Sequence, residues 1–228
     1  MMKRVPEIKG VLRSHMIMLP EIIKEATGIR IFGKTIRSII FTTDVAVIRN
    51  SNADAVIAVY PFTPQPLITQ ALVLAADVPV FCGVGGGITT GKRVINLALD
   101  AEFKGAMGVV LNSPTPNDVI SQVRETIDIP IIITIVSKYE DFEKRIEAGA
   151  NIINVSGSKG TSEIIRNIRR KYPDFPIIAT GGSSDESIKD TIEAGANAIS
   201  CTPIATAKIL TDIMNKYREK YEQEYKEM

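Results

Sequence analysis

Pro130-Ile131-Ile132 opens a segment that runs to Glu147-Ala148-Gly149-Ala150-Asn151, and Pro176-Ile177-Ile178 opens a second that runs to Glu193-Ala194-Gly195-Ala196-Asn197. The two segments match at an offset of 46 residues. Proline starts a strand where the ladder needs no N–H. Glycine after a helix adopts the left-handed conformation that ends it. Each copy therefore reads as strand, helix and the approach to the next strand, and the period spans two strand–helix units.

The same alternation continues on both sides of the repeat. Apolar, β-branched runs lie at 38–43, 55–60, 78–83, 107–112, 130–136, 152–156, 176–180 and 198–202, eight in all. They are continuous rather than alternating, as strands covered on both faces are. Amphipathic segments at 118–127, 139–148, 162–172 and 185–194 separate the later ones. Strands alternating with helices imply a parallel sheet. A doubly wound open sheet shows similar repeats, but eight units favour closure into a (β/α)8 TIM barrel.

At 228 residues the chain fits one such domain. The barrel core is expected at 37–204, behind an N-terminal extension at 1–36 and ahead of a long C-terminal helix at 205–228. The extension carries a helical stretch at 20–26 and either plugs the barrel bottom or reaches over the site. In the last helix Tyr217, Tyr221 and Tyr225 stand at i, i+4 and i+8. Such a stripe normally marks packing, so this helix is expected to lie on the barrel with a solvated charged end. Its other reading is a contact in a homodimer or higher homo-oligomer.

Apolar residues make up 45 % and charged residues 23 %, and the net charge is +1. No strong field favours nucleic acid or an anionic membrane, and neither is an expected partner. No run approaches the ~18 apolar residues of a membrane helix, and no signal peptide follows Met1. The two cysteines, Cys82 and Cys201, form neither a disulfide framework nor a zinc pattern, so a cytoplasmic setting and no metal are expected.

In a barrel of this kind, chemistry sits at strand C-termini and in the loops that follow. Thr180-Gly181-Gly182 lets backbone N–H groups approach an anion, with a helix N-terminus behind it. Its other reading is a tight turn and nothing more. Ser156 and Gly157 end the preceding strand, and Cys201-Thr202-Pro203 ends the last one. The loop Gly83-Val84-Gly85-Gly86-Gly87 faces a flat ligand or relieves crowding at the barrel mouth. Gly86 to Gly91-Lys92 matches the start of a nucleotide P-loop, but Arg93 stands where Ser or Thr would hold magnesium, which excludes that reading. Asp44 is the carboxylate closest to a strand end. It is read either as a general base or as the N-cap of a helix at 45–48. Tyr60, Asn112 and Asn154 are the other catalytic candidates, with Thr134 as a neutral hydrogen-bonding neighbour. Lys159 reads as a phosphate anchor, a base or a solvated loop lysine. Cys82 and Cys201 read as reactive thiols or as small hydrophobes. His15, the single histidine, belongs to a lid, a neighbouring subunit or the plain surface.

The run from Ile178 to Ser184, the run from Ile192 to Ala198, and Cys201-Thr202-Pro203-Ile204-Ala205 resemble the phosphate-binding half of the phosphate-binding TIM-barrel superfamily. That group includes keto-deoxy-phosphogluconate aldolase, thiazole synthase, inosine monophosphate dehydrogenase and nitronate monooxygenase. The resemblance is strongest over 130–205 and implies a phosphorylated small-molecule ligand. It departs at the last strand, where many members have Gly-Ser or Gly-Thr in place of Cys201-Thr202. The whole chain also looks like small bacterial barrels labelled hydrolase, but it contains neither Gly-x-Ser-x-Gly nor His-Glu-x-x-His. The leading expectation is an enzyme acting on a small phosphorylated metabolite: a lyase, isomerase or synthase. The alternatives are an FMN-dependent oxidoreductase resembling nitronate monooxygenase, and a non-catalytic phosphometabolite sensor. No cofactor is fixed by the residues themselves, and neither is the substrate.

Overall fold

The computed structural model describes residues 16–182 and 184–226, with Pro6, Ile8, Gly10 and Val11. His15 and Ser183 lie outside the described residues. Ahead of the barrel are a 3-10 turn, Glu21–Glu25, and an antiparallel hairpin of β1 (Ile29–Ile31) and β2 (Lys34–Ile36). Eight parallel strands follow: β3 (Ser38–Phe41), β4 (Ala55–Ala58), β5 (Val80–Gly85), β6 (Gly108–Leu111), β7 (Ile131–Ile135), β8 (Ile152–Val155), β9 (Ile177–Thr180) and β10 (Ala198–Cys201). They pair in chain order, and β10 closes on β3. The helices between them are α1 (Val45–Arg49), α2 (Pro66–Ala75), α3 (Lys92–Phe103), α4 (Asn117–Thr126), α5 (Phe142–Glu147), α6 (Thr161–Lys171) and α7 (Asp185–Glu193), and α8 (Thr206–Lys226) follows the last strand. The chain is a (β/α)8 TIM barrel.

Alternation along each strand separates two buried clusters. Ile39, Ile57, Phe81, Val110, Ile132, Ile152 and Ile178 fill the lumen. Ile40, Val56, Cys82, Val109, Ile133, Ile153 and Ile199 lie under the helices. Both faces are covered, which is why the runs show no polar alternation. A fully buried isoleucine contributes ~1.5–3 kcal/mol, so these strands supply much of the stability.

The repeat has a structural counterpart. Gly149 and Gly195 hold φ of +115° and +113° at the ends of their helices. The asparagines two residues later brace the strands alongside. The Ile131 N–H donates to Asn151 Oδ1 and the Ile177 N–H to Asn197 Oδ1, both at 2.9 Å.

The N-terminal extension departs from expectation. The helical stretch is a 3-10 turn, and the hairpin beyond it turns through Phe32 and Gly33, both at positive φ. Ile29, Ile31 and Ile36 join the lumen cluster, so the hairpin plugs the end of the barrel where the strands start. Residues 17–25 take a second role. Leu19 and Ile23 enter the cluster under the helices, and the 3-10 turn packs on α7. This segment occupies the place that an eighth helix takes in the outer ring. The expected packing of the C-terminal helix on the barrel is therefore not found: α8 contributes no buried residue.

Candidate functional site

Alternation carries polar side chains into the top of the lumen. Beyond Ile132, Ile152 and Ile178 on the same face stand Thr134, Asn154 and Thr180. Asn154 is only 7 % exposed. Its Nδ2–H donates to Thr134 Oγ1 at 3.3 Å, and its Oδ1 has no partner. Turning the amide over exchanges the two atoms but still leaves one unpaired. A buried, unpaired polar atom costs about 1–3 kcal/mol, which a ligand atom can offset.

Beside it, the loops after β8 and β9 enclose a cup of about 510 Å³. Its wall is rich in hydroxyls, from Ser156, Ser158, Thr161, Ser162, Thr180, Ser184 and Ser187, with Gly181 and Gly182 on the β9 side. Lys159 is the one cation among the described lining residues. The carboxylate of Asp190 also lines the cup, but it is paired with Arg166 at 2.6 Å. A side-chain hydrogen bond with Ser162, and then Arg166, hold this carboxyl below its usual range.

Two helices start at the cup, and they differ. The α7 start is closed by its own capping box between Ser184 and Ser187 and carries Asp185 and Glu186 in the first turn. The α6 start has no side-chain cap and holds only Glu163 in its first turn. Gly157 N–H donates to Thr161 Oγ1 at 3.1 Å, and the Thr161 hydroxyl donates to the Ser158 carbonyl at 2.9 Å. These bonds bend the chain so that Ser158, at φ +53°, and Lys159 sit at the cup. The positive end of a helix dipole therefore favours an anion on the α6 side. Gly182 has a packing role, because a Cβ there would collide with the Ser187 hydroxyl.

The residues expected to share one phosphate site divide. Ser156, Thr180, Gly181 and Gly182 line this cup, and Gly157 holds its rim. Cys201 and Thr202 line a separate hollow behind Gly181 and Gly182, together with Ile17, Met18 and Pro203. Cys201 is one residue out of phase with Ser200 and packs against the cluster under the helices. Burial raises its thiol pKa, and burial pushes that of Cys82 up to about 12. Both are placed as small hydrophobes rather than as nucleophiles.

Asp44 N-caps α1. Its Oδ1 accepts from the Ala46 and Val47 amides at 2.9 and 3.2 Å. Its Oδ2 accepts from the Thr206 hydroxyl at the root of α8. The Thr206 bond is the main reason its carboxyl lies below the usual range. That is the opposite of what a general base working near neutrality needs.

Across the barrel mouth, Tyr60, Phe62, Gly85, Gly86, Gly87 and Asn112 line a smaller hollow of about 140 Å³. Gly86 has φ +94°, and a Cβ there would lie 2.8 Å from the Asn112 backbone, so crowding against β6 requires glycine. Tyr60 Oη accepts from the Gln65 N–H at 2.8 Å, which leaves its own proton to donate. This hollow is smaller than the roughly 300–1,000 Å³ usual for a ligand site. The sequence reading missed Glu140 in the loop after β7. Glu140 accepts from the Val136 and Ser137 amides and from the Ser113 hydroxyl, and so ties two mouth loops together. Among the described residues no cluster of three metal-binding side chains occurs. No helix among them is long and apolar enough to cross a membrane.

No family model and no curated protein matches the chain. Solved structures do. A candidate phosphonomutase from Burkholderia cenocepacia aligns with a TM-score of 0.62 at 15 % identity, covering 80 % of this chain and 93 % of that one. A 2,3-dimethylmalate lyase, a member of the PEP mutase/isocitrate lyase superfamily, aligns with a TM-score of 0.61 at 13 % identity, over 88 % and 85 %. Thiamine phosphate pyrophosphorylase from Pyrococcus furiosus gives 0.55 at 18 %, over 72 % and 84 %. At these identities the likeness establishes the fold.

Proposed function

We propose that this barrel is an enzyme of lyase or synthase kind that binds a small phosphorylated metabolite. The phosphate sits in the cup at the start of α6, held by Lys159 and the hydroxyls of Ser156, Ser158 and Thr180. The carbon skeleton lies over the lumen, where Asn154 meets a carbonyl or hydroxyl. The far end reaches toward Asn112 and Tyr60, whose phenol is the available proton donor. The observation that carries this reading is the unpaired atom of Asn154, 7 % exposed and next to the cup. A polar group buried at that cost is expected to have a partner in the working state. The three neighbours named above include a lyase and a protein named for a phosphate compound, in keeping with this reading.

Native mass spectrometry of the purified protein tests it. A retained ligand containing phosphorus, lost on Lys159→Ala together with Ser156→Ala, supports the assignment. A flavin mass, with absorbance near 450 nm, would replace it with the oxidoreductase alternative. A phosphate ligand retained undiminished by the double variant would move the site elsewhere. A tightly held ligand that is never turned over would favour the sensor.

A further inference from the structure

Among the described residues, the C-terminal helix is the one element that the barrel leaves without packing. Its 21 residues make a rod of about 32 Å. Leu210, Ile213, Met214, Tyr217, Tyr221 and Tyr225 fall within one 120° stripe at 100° per residue. Lys208, Asp212, Lys216 and Glu219 lie on the opposite side, with ion pairs Lys208–Asp212 and Lys220–Glu224 along the helix. The three tyrosines are 55, 68 and 80 % exposed. In proteins most helical stability comes from packing an apolar face rather than from propensity. Here the place on the barrel that could cover it is taken by residues 17–25.

We infer that α8 is the dimer interface, and that a second copy of this chain covers it through an antiparallel helix pair. Leu210, Met214, Tyr217 and Tyr221 form a seam that is complementary to itself. A two-fold axis between Asn215 and Lys216 sets Leu210 against the partner's Tyr221 and Met214 against the partner's Tyr217, and repeats both contacts in reverse. Ala207 faces the partner's Glu224 at each end. An isologous contact requires this pairing of one patch with itself. Around the stripe Lys216, Arg218 and Lys220 stand beside Glu222, and Glu224 lies within the stripe near its end, so both signs are present where two copies meet. Fully buried tyrosines cover on the order of 150–250 Å² each, so the three at 55, 68 and 80 % exposed, with Leu210, Ile213 and Met214, offer on the order of 600 Å² per copy. Doubled, that is on the order of 1,200 Å², the lower end of a specific interface. The pairing also reaches the rim of the barrel mouth. Thr206 at the root of α8 bonds Asp44, so a paired helix holds the loop after β10 against the loop after β3.

Sedimentation velocity of the full chain over about 1–100 µM tests the inference. The expected species has twice the 24.9 kDa of one chain. Met214→Glu with Tyr217→Glu is expected to raise the dimer dissociation constant at least ~30-fold. Both side chains are solvent-exposed on the single chain, so the monomeric variant keeps its barrel, read as unchanged far-ultraviolet circular dichroism. The control Glu219→Lys, on the polar side, stays dimeric. A wild-type protein that remains monomeric at 100 µM overturns the inference, and so does a dimer that survives the double substitution. If the variant aggregates, hydrogen exchange decides: amides of 207–221 protected at high but not at low protein concentration support the interface, and equal exchange at both refutes it.

Discussion

A few residues carry the functional reading, and each can be tested alone. Asn154→Leu replaces a buried, half-satisfied amide with an apolar side chain of similar size. The ligand-free protein is expected to gain about 1 kcal/mol, because an unpaired polar atom is removed. Ligand affinity is expected to fall at least tenfold in the same variant. Thermal melting with and without ligand reads both changes, and a destabilised ligand-free variant would show that Asn154 is satisfied after all. Asp44→Ala removes a helix cap and is expected to cost about 1 kcal/mol near neutral pH. The Asp44 carboxyl titrates below its ordinary value when folded. Its contribution is therefore fully present above that ordinary value, near ~3.9, and is lost as pH falls through the lower folded value. The gap in stability between wild type and Asp44→Ala should close below about pH 4, as measured by urea unfolding at several pH values. Much of the site was legible at this scale. Ser156, Thr180 and Gly181 are found where strand ends put them. Asp44 was legible only as a pair of roles, because a carboxylate after a strand looks the same as base or as cap. Cys201 was misplaced by a single residue, since a period of two sends neighbours to opposite faces.

Between residue and molecule, the repeated strand–helix unit makes its own predictions. Asn151 braces β7 through one bond, whereas Asn197 accepts from the Ile177 N–H and from Arg169 and donates to Thr27. Asn197→Ala should therefore cost more than Asn151→Ala by about 1 kcal/mol or more, measured by chemical unfolding. Gly149→Ala and Gly195→Ala should cost similar amounts, since both positions hold the same positive φ and each meets an arginine side chain at 2.8 Å. All eight barrel strands could be read from the sequence because both their faces are apolar. The hairpin could not. Its strands are three residues each, too short to show a period, and its turn uses Phe32 where Asn, Asp or Gly is usual. The 3-10 turn was read as a helix because apolar spacing over one turn does not separate the two forms.

For the whole molecule, the unexpected feature is an exchange of places. Residues 17–25 complete the outer ring, the hairpin closes the bottom, and α8 is left outside. The tyrosine stripe was visible in the sequence, but what it packs against was not, because periodicity marks an apolar face without naming its neighbour. We place the ligand at the opposite mouth, over Asn154 and the cup beside it, where barrels of this kind carry their sites. An amide-resolved nuclear magnetic resonance titration of the labelled protein with small phosphate monoesters tests that placement most directly. Saturable shifts centred on the amides of 156–162 and 180–182, with a response at the Asn154 side-chain amide, are the expected result. Shifts confined to the glycine loop at 83–87 or to the hollow beside Cys201, or no saturable shift at millimolar ligand, would contradict it.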